Sequence, residues 1–351
     1  MAFADSLQRT WRENILFSAL IELTYRCNLD CFFCYNDTGL KGVPLRTEQY
    51  FRLFEDLRDL GTLNLTLSGG EPLAHAEFFA LGRRARELGF VVRVKSNGHA
   101  LHGTLARRMR EEVDPFIVET SLHGASPETH DRQTRVPGSF ARLMTNVRGA
   151  LELGMRIKLN SALTVWNEHE IEAMFALADA LGVPIQIDPQ ITRRDDGDPG
   201  PLAVAPSAEG MARLMVLQRQ RASAIAAQTG ARPEDADSVA APSPPSAADK
   251  HCGAGSSTVI VDPFGNVYPC VQWRRRVGNL HEHSIRTLWN QSEELAEVRR
   301  LASEVREAVD RHGTSGFGFC PGTAEQETGR ATQLYPVAKL MLDLRKRIPL
   351  T

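Results

Sequence analysis

The sequence predicts an α/β fold, a partial (β/α)6 TIM-like barrel with a small C-terminal α+β domain, and three observations lead there. Short β-branched runs alternate with longer helical patterns from residue 15 to about 190. Glycines stand where several of those helices should stop, as C-cap residues do. A stretch rich in Ala, Pro, Ser and Asp over 223–250 then divides this region from a second one with its own hairpin signal.

Taken in order, strands are expected over Leu16–Thr24, Asn64–Ser68, Val91–Ser96, Phe116–Ser121, Arg156–Thr164 and Ile185–Asp188. Helices are expected over Glu48–Leu60, Ala76–Leu88, Gly103–Val113, Phe140–Leu153 and Glu168–Leu181, with Gly61, Gly89, Gly154 and Gly182 closing four of them. Six βα units make a sheet that curls into an incomplete barrel, whose functional groups belong at the carboxyl ends of the strands. Beyond the divide, Thr258–Asp262, a Pro-Phe-Gly-Asn turn and Val267–Tyr268 read as a hairpin, with helices near Ile285–Asn290 and Glu293–Val309. The expected division is a barrel over 1–215, a flexible linker or insertion over 216–250 and a C-terminal domain over 251–351.

Composition narrows the function. The chain has 351 residues, 42% hydrophobic and 24% charged, with a net charge of -2. That balance offers no broad basic surface, so no nucleic acid partner is expected. No apolar run is long enough for a membrane span, and the N-terminus lacks an apolar signal core, so the expected compartment is the cytoplasm. Six cysteines are too few for a disulfide scaffold, and their clustering points to metal or redox chemistry.

Cys27, Cys31 and Cys34 follow the first strand in YRCNLDCFFCYN. Three thiolates on one loop can converge on a single centre. A structural zinc would need a fourth ligand, for which no nearby second pair exists, whereas a cubane iron–sulfur cluster on three thiolates keeps one iron open to a small molecule. SGGEP, Ser68–Pro72, ends the second strand; Gly69 and Gly70 allow close backbone approach there, and Glu71 can accept a hydrogen bond from an ammonium group.

TYRCNLDCFFCYN with an aromatic residue, Phe33, before the third cysteine, together with SGGEP, resembles the radical S-adenosylmethionine (SAM) superfamily. The resemblance implies that Cys27, Cys31 and Cys34 hold a [4Fe–4S] cluster whose fourth iron is chelated by SAM, and that Ser68, Gly69, Gly70, Glu71 and Pro72 grip the SAM amino group. It also implies SAM contacts from Phe33 and from later strand ends, at Ser96, Asn97, Ser121 and Asn160. HDRQTRVPGSF, His130–Phe140, is similar to a segment of peptide-modifying members whose arginine meets the SAM carboxylate; Arg132 and Arg135 both stand in register, and Arg135 is preferred.

Cys252, Cys270 and Cys320 form a second set, and Cys252, Gly265 and Cys270 fit C-x(9–15)-G-x4-C. That resembles the opening half of a SPASM domain, which carries auxiliary iron–sulfur clusters. A full SPASM domain has seven cysteines where three are present, so the region resembles a reduced, twitch-like version holding at most one auxiliary cluster. His251, Asp262, His281 and His283 are candidate fourth ligands.

The function implied is reductive cleavage of SAM to a 5′-deoxyadenosyl radical and hydrogen-atom abstraction, for oxidative modification or crosslinking of a ribosomally made peptide. No catalytic side chain is assigned. An electron donor such as flavodoxin or ferredoxin is expected. With 26 residues before Cys27, a leader peptide would be recognised by a separate protein or by the C-terminal domain. Two other functions fit the residues: dehydrogenation or epimerisation of a small molecule such as a sugar or aminoglycoside intermediate, and a non-catalytic iron–sulfur or zinc protein for electron transfer.

Overall fold

The structure, a computed structural model, describes residues 3–229, 250–311 and 319–347. All six barrel strands form where the sequence expects them: β1 (Ser18–Glu22), β2 (Asn64–Ser68), β3 (Val91–Ser96), β4 (Ile117–Ser121), β5 (Ile157–Ala162) and β6 (Ile185–Asp188). Each pairs in parallel with its successor, the order that consecutive βα units generate. The helices of this region are α1 (Phe3–Glu13), α2 (Thr47–Asp59), α3 (Phe78–Glu87), α4 (Gly103–Arg108), α5 (Pro127–Thr134), α6 (Ser139–Glu152), α7 (Ile171–Leu181) and α8 (Ala208–Thr229). Gly61, Gly89, Gly154 and Gly182, the four glycines expected to close helices, all have positive φ.

The two faces of the later strands differ. Val92, Val94, Val118, Ile157 and Leu159 join the core beneath the helices. The alternate residues Arg93, Glu119, Lys158, Asn160 and Gln186 form a polar row across β3 to β6, in which Arg93 and Asn160 both donate to Glu119 and Lys158 donates to Gln186. A complete barrel fills its interior with branched apolar side chains; here the polar row leaves the inner face open as a cavity wall.

Beyond residue 250 the chain returns to the same sheet. β7 (Thr258–Val261) pairs in parallel with β1, then β8 (Asn266–Tyr268) and β9 (Gly278–Asn279) add antiparallel, giving one nine-stranded sheet ordered β6-β5-β4-β3-β2-β1-β7-β8-β9. The hairpin therefore extends the barrel sheet, and one core cluster runs from Leu16 through Val259 and Trp289 to Ala338. Four helices follow, α9 (Ile285–Gln291), α10 (Glu293–Arg311), α11 (Pro321–Thr328) and α12 (Pro336–Arg347).

Three local expectations change. Residues 216–229, assigned to a linker, continue α8, because Ala, Leu, Gln and Arg dominate there and favour helix; residues 230–249 of that linker lie outside the described residues. The helix expected over Gly103–Val113 breaks into α4 and a single π turn at Met109–Val113. The peptide HDRQT belongs to α5, whose start is capped by Ser126 accepting from the Thr129 amide.

The β7–β8 turn depends on one carboxylate. Asp262, fully buried, accepts from the Phe264 and Asn266 amides at 2.9 and 2.8 Å, from Asn266 Nδ2 at 2.7 Å and from the Tyr268 hydroxyl at 3.2 Å. Replacing Asp262 with Ala strands four donors, and the expected cost in urea unfolding is about 2–3 kcal/mol; an unchanged midpoint would contradict this role.

Candidate functional site

The cysteine loop leaves β1 and is clasped against β2. The Gly70 amide donates to Thr24 O at 2.6 Å and the Glu71 amide to Arg26 O at 2.9 Å. A Cβ at Gly69, whose φ is +137°, would come within 2.3 Å of Thr24 O, and one at Gly70 within 2.6 Å of Arg26 O. Only glycine lets these two backbones touch. From the other side, the amides of Asp30 and Phe32 donate to Thr134 O and Gln133 O at the end of α5.

Cys27, Cys31 and Cys34 consequently line one cavity of about 380 Å³, together with Phe33, Ser68, Gly69, Gly70, Ser96, Asn97, Ser121 and Asn160. Asn97 Nδ2 donates to Cys27 Sγ at 3.6 Å and to Asn28 Oδ1 at 2.7 Å. Phe33 packs edge-on against His123, 4.7 Å between centroids. Eight of the eleven residues expected around SAM thus meet in one space.

The donor set fits an iron–sulfur cluster. Burial pushes all three thiols up, and Cys31 is raised further by the charges of Cys34 and Cys27. Thiols so placed become thiolates when a metal supplies the positive charge. Among the described residues no three His, Cys, Asp or Glu side chains converge as they would on one metal ion, while all three cysteines line the one cavity and Cys31 feels both of the others. That cavity also holds Asn36 Oδ1 and His123 Nδ1, buried and without a partner, as open polar positions for a ligand.

The remaining three expected contacts do not reach the cavity wall. Glu71 turns into its own turn, accepting from Ser96 Oγ at 2.9 Å, the Asn97 amide at 2.8 Å and the Leu73 amide at 3.0 Å. It fastens the end of β3 to the turn. Pro72 is buried at the start of a 3-10 turn. Arg135 caps α5 with φ +59°, pairs with Asp30 at 3.0 Å and lies over Phe32; Arg132 lies 4.3 Å over Trp166. Arg135 braces the outside of the cysteine loop, and Arg132 reaches that loop only through Trp166, which packs on Phe32.

Sequence reading missed Lys95, Glu119, His123, Asp188, Gln190 and Arg194 on the cavity wall. The signal for Lys95, Glu119 and Asp188 was the polar residue at every second place in β3, β4 and β6. His123 stacks on His130, whose Nδ1 accepts from the His123 amide at 3.0 Å.

The second set also gathers. Burial lifts Cys252 to about 12, with Cys270 and Cys320 adding to the rise, and Cys270 is raised likewise with Cys320 as its neighbour. Of the suggested fourth ligands, Asp262 is held in its turn and His281 meets Val43 O at 2.8 Å, His283 lines a separate surface cavity, and His251 Nε2 meets the carbonyl of Phe319, next to Cys320, at 2.7 Å. Gln272, two residues past Cys270, lines the cavity of the first set.

A curled parallel sheet with three thiols beside its strand ends, and a three-thiol extension reaching the same cavity, defines an iron–sulfur protein of the radical SAM type. Comparison agrees: the radical SAM superfamily model matches residues 21–178, and the model of an iron–sulfur cluster-binding domain, SPASM, matches 252–311. The chain is a radical SAM protein with a SPASM domain. It is 25% identical over 296 residues to the AdoMet-dependent heme synthase of Methanosarcina barkeri, covering 79% of this chain and 83% of that one. It is 34% identical over 163 residues to the PqqA peptide cyclase of Rhizobium meliloti, covering 45% of this chain and 43% of that one. Thus it spans less than half of the cyclase's length. The crystal structure of native anSMEcpe with bound AdoMet and Cp18Cys peptide shares the fold, with TM-score 0.68 and 17% identity over 94% of each chain. The radical SAM domain implies a [4Fe–4S] cluster and SAM, and the SPASM domain auxiliary clusters.

Two predictions follow from this geometry. Gly69→Ala forces apart the Thr24 and Gly69 backbones and is expected to lower unfolding stability by roughly 2–4 kcal/mol; wild-type stability would contradict the clasp. Burial holds His123 down to about 3 and His130 to about 4, whereas an unfolded histidine titrates near 6.5. The native state refuses those protons, so the stability they give is present above about pH 6.5 and lost as pH falls below it. His130→Gln is expected to flatten that decline between about pH 6.5 and 4, by up to about 1.4 kcal/mol per pH unit, measured by urea unfolding at stepped pH. Parallel curves for variant and wild type would contradict it.

Proposed function

We propose that this protein is a radical SAM maturase that oxidatively modifies or crosslinks a ribosomally made peptide in the cytoplasm. In this reading Cys27, Cys31 and Cys34 hold the [4Fe–4S] cluster, and Cys252, Cys270 and Cys320 hold one auxiliary cluster. When bound, the cluster and SAM supply one-electron cleavage to a 5′-deoxyadenosyl radical, the hydrogen-atom abstractor. The chain itself orients and shields. Gly69 and Gly70 bring the turn's backbone against the cysteine loop, and Phe33, His123, Ser121 and Asn160 would line the space that SAM takes. Glu71 acts indirectly, by fixing Ser96 and Asn97. An electron donor such as flavodoxin or ferredoxin, and a leader-binding partner, complete the system.

The observation that carries the peptide reading is a second cavity of about 370 Å³ next to the first, with Tyr35, Thr192 and Gln272 lining both. It runs between the segment after β6 and the loop after Cys270. A small metabolite would need only the inner space, whereas an extended chain uses both. The 34% identity to a peptide cyclase over the radical SAM region supports the same reading. Oxidation of a small molecule is the second reading, favoured by the similarity to a heme synthase along 79% of the chain. No helix among the described residues is long and apolar enough to cross a membrane, which suits a cytoplasmic site of action.

The test is anaerobic reconstitution followed by reaction with dithionite and SAM. Cys31→Ala is expected to abolish 5′-deoxyadenosine formation, to the detection limit, while Cys270→Ala retains it and loses modification of a co-expressed precursor peptide, read by mass. A zinc-containing wild type that forms no 5′-deoxyadenosine, or two variants that behave alike, would overturn the proposal.

A further inference from the structure

One guanidinium ties the auxiliary hairpin to the loop that carries Cys27, Cys31 and Cys34. Arg274 lies four residues beyond Cys270, and its side chain is 10% exposed. Nη1 and Nη2 donate to Glu22 at 3.1 and 2.6 Å, a bidentate pair with a carboxylate 1% exposed at the end of β1. Nε pairs with Asp195 at 3.0 Å, as an ion pair without hydrogen-bond alignment.

Both shoulders of the cysteine loop converge on this pair. Tyr25, two residues before Cys27, donates its hydroxyl to Glu22 Oε2 at 3.0 Å. Tyr35, the residue after Cys34, sits with its ring 5.8 Å from the guanidinium and its carbonyl accepting from the Asp195 amide at 2.8 Å. Tyr268 on β8 lies 5.1 Å from the same guanidinium. Arg274 thus meets β1, the segment after β6 and the Tyr35 end of the cysteine loop directly, and the Tyr25 end through Glu22.

We infer that Arg274 is a positioning residue through which the SPASM domain sets the spacing of the first three thiols, so that retention of the SAM-site cluster depends on the auxiliary hairpin. The inference rests on the reading that those thiols hold the cluster. Its physical basis is the fork: a guanidinium holds Glu22 bidentately while meeting Asp195 with Nε, whereas a lysine ammonium is a compact point charge without the planar fork that grips both oxygens of one carboxylate in parallel. Loosening Glu22 releases Tyr25, and with it the first shoulder of the loop. The Arg274 charge also reaches Cys270, and a lysine keeps that charge, so Arg274→Lys removes the fork of this strut while leaving the electrostatics of the auxiliary thiols in place.

The experiment uses the reconstituted full chain, reduced with dithionite and exposed anaerobically to bathophenanthroline disulfonate. Electron paramagnetic resonance follows two signals: the one that shifts on adding SAM, and the auxiliary one that does not. Arg274→Lys is expected to speed loss of the SAM-responsive signal about fivefold or more, the effect of losing roughly one hydrogen bond, with the auxiliary signal decaying at the wild-type rate. Tyr25→Phe removes a single hydroxyl and should accelerate the same signal by a smaller factor; it decides the matter if Arg274→Lys does not fold. Unaltered decay of the SAM-responsive signal, or equal acceleration of both signals, overturns the strut alone. A wild type with no SAM-responsive signal overturns the cluster reading and the strut with it.

Discussion

Three thiols on one cavity wall at the carboxyl end of a parallel sheet, with pKa values raised by partial burial, stay protonated until a metal supplies positive charge. Burial raises each of them, and Cys31 is raised further by its two companions. A chain that gathers them must therefore hold the loop by other means before any metal arrives. It does so with backbone contacts: Gly70 and Glu71 amides on Thr24 and Arg26, and Asp30 and Phe32 amides on the end of α5. The rest of the site is arranged around this clasp.

The barrel supplies the room. Of its six strands, β3 to β6 carry polar residues on the inner face, with Glu119 taking hydrogen bonds from both Arg93 and Asn160. Such a face cannot pack dry, so the interior remains a cavity that opens towards the thiols. The hairpin after residue 250 then continues the sheet on its other edge through β7, which brings Gln272 and Arg274 to the same cavity and the same loop. Sharing one sheet and one core makes the two cysteine sets parts of a single rigid frame.

Much of this was legible in the sequence, because local rules determine it. Strand limits were clear at Asn64–Ser68, Val91–Ser96 and Ile185–Asp188, since each is a short run followed by turn or loop residues. Gly61, Gly89, Gly154 and Gly182 marked helix ends because positive φ is costly for other residues. The spacing of Cys27, Cys31 and Cys34 and the SGGEP turn marked the site. What stayed hidden is set by distant partners. Glu71 looks available for a ligand until Ser96 and Asn97 are seen donating to it. Arg135 looks aimed inward until its left-handed backbone turns it onto Asp30 and Phe32. Glu22, Asp195 and Arg274 are far apart in sequence, and no spacing rule joins them.

The account turns on an iron that the three thiols leave free for SAM. Electron–nuclear double resonance on the reduced, reconstituted protein with SAM labelled with nitrogen-15 at its amino group examines that directly. A nitrogen-15 hyperfine coupling to the cluster, lost in Cys27→Ala, is the result predicted. A reduced cluster that shows no coupling to bound, labelled SAM would contradict the account.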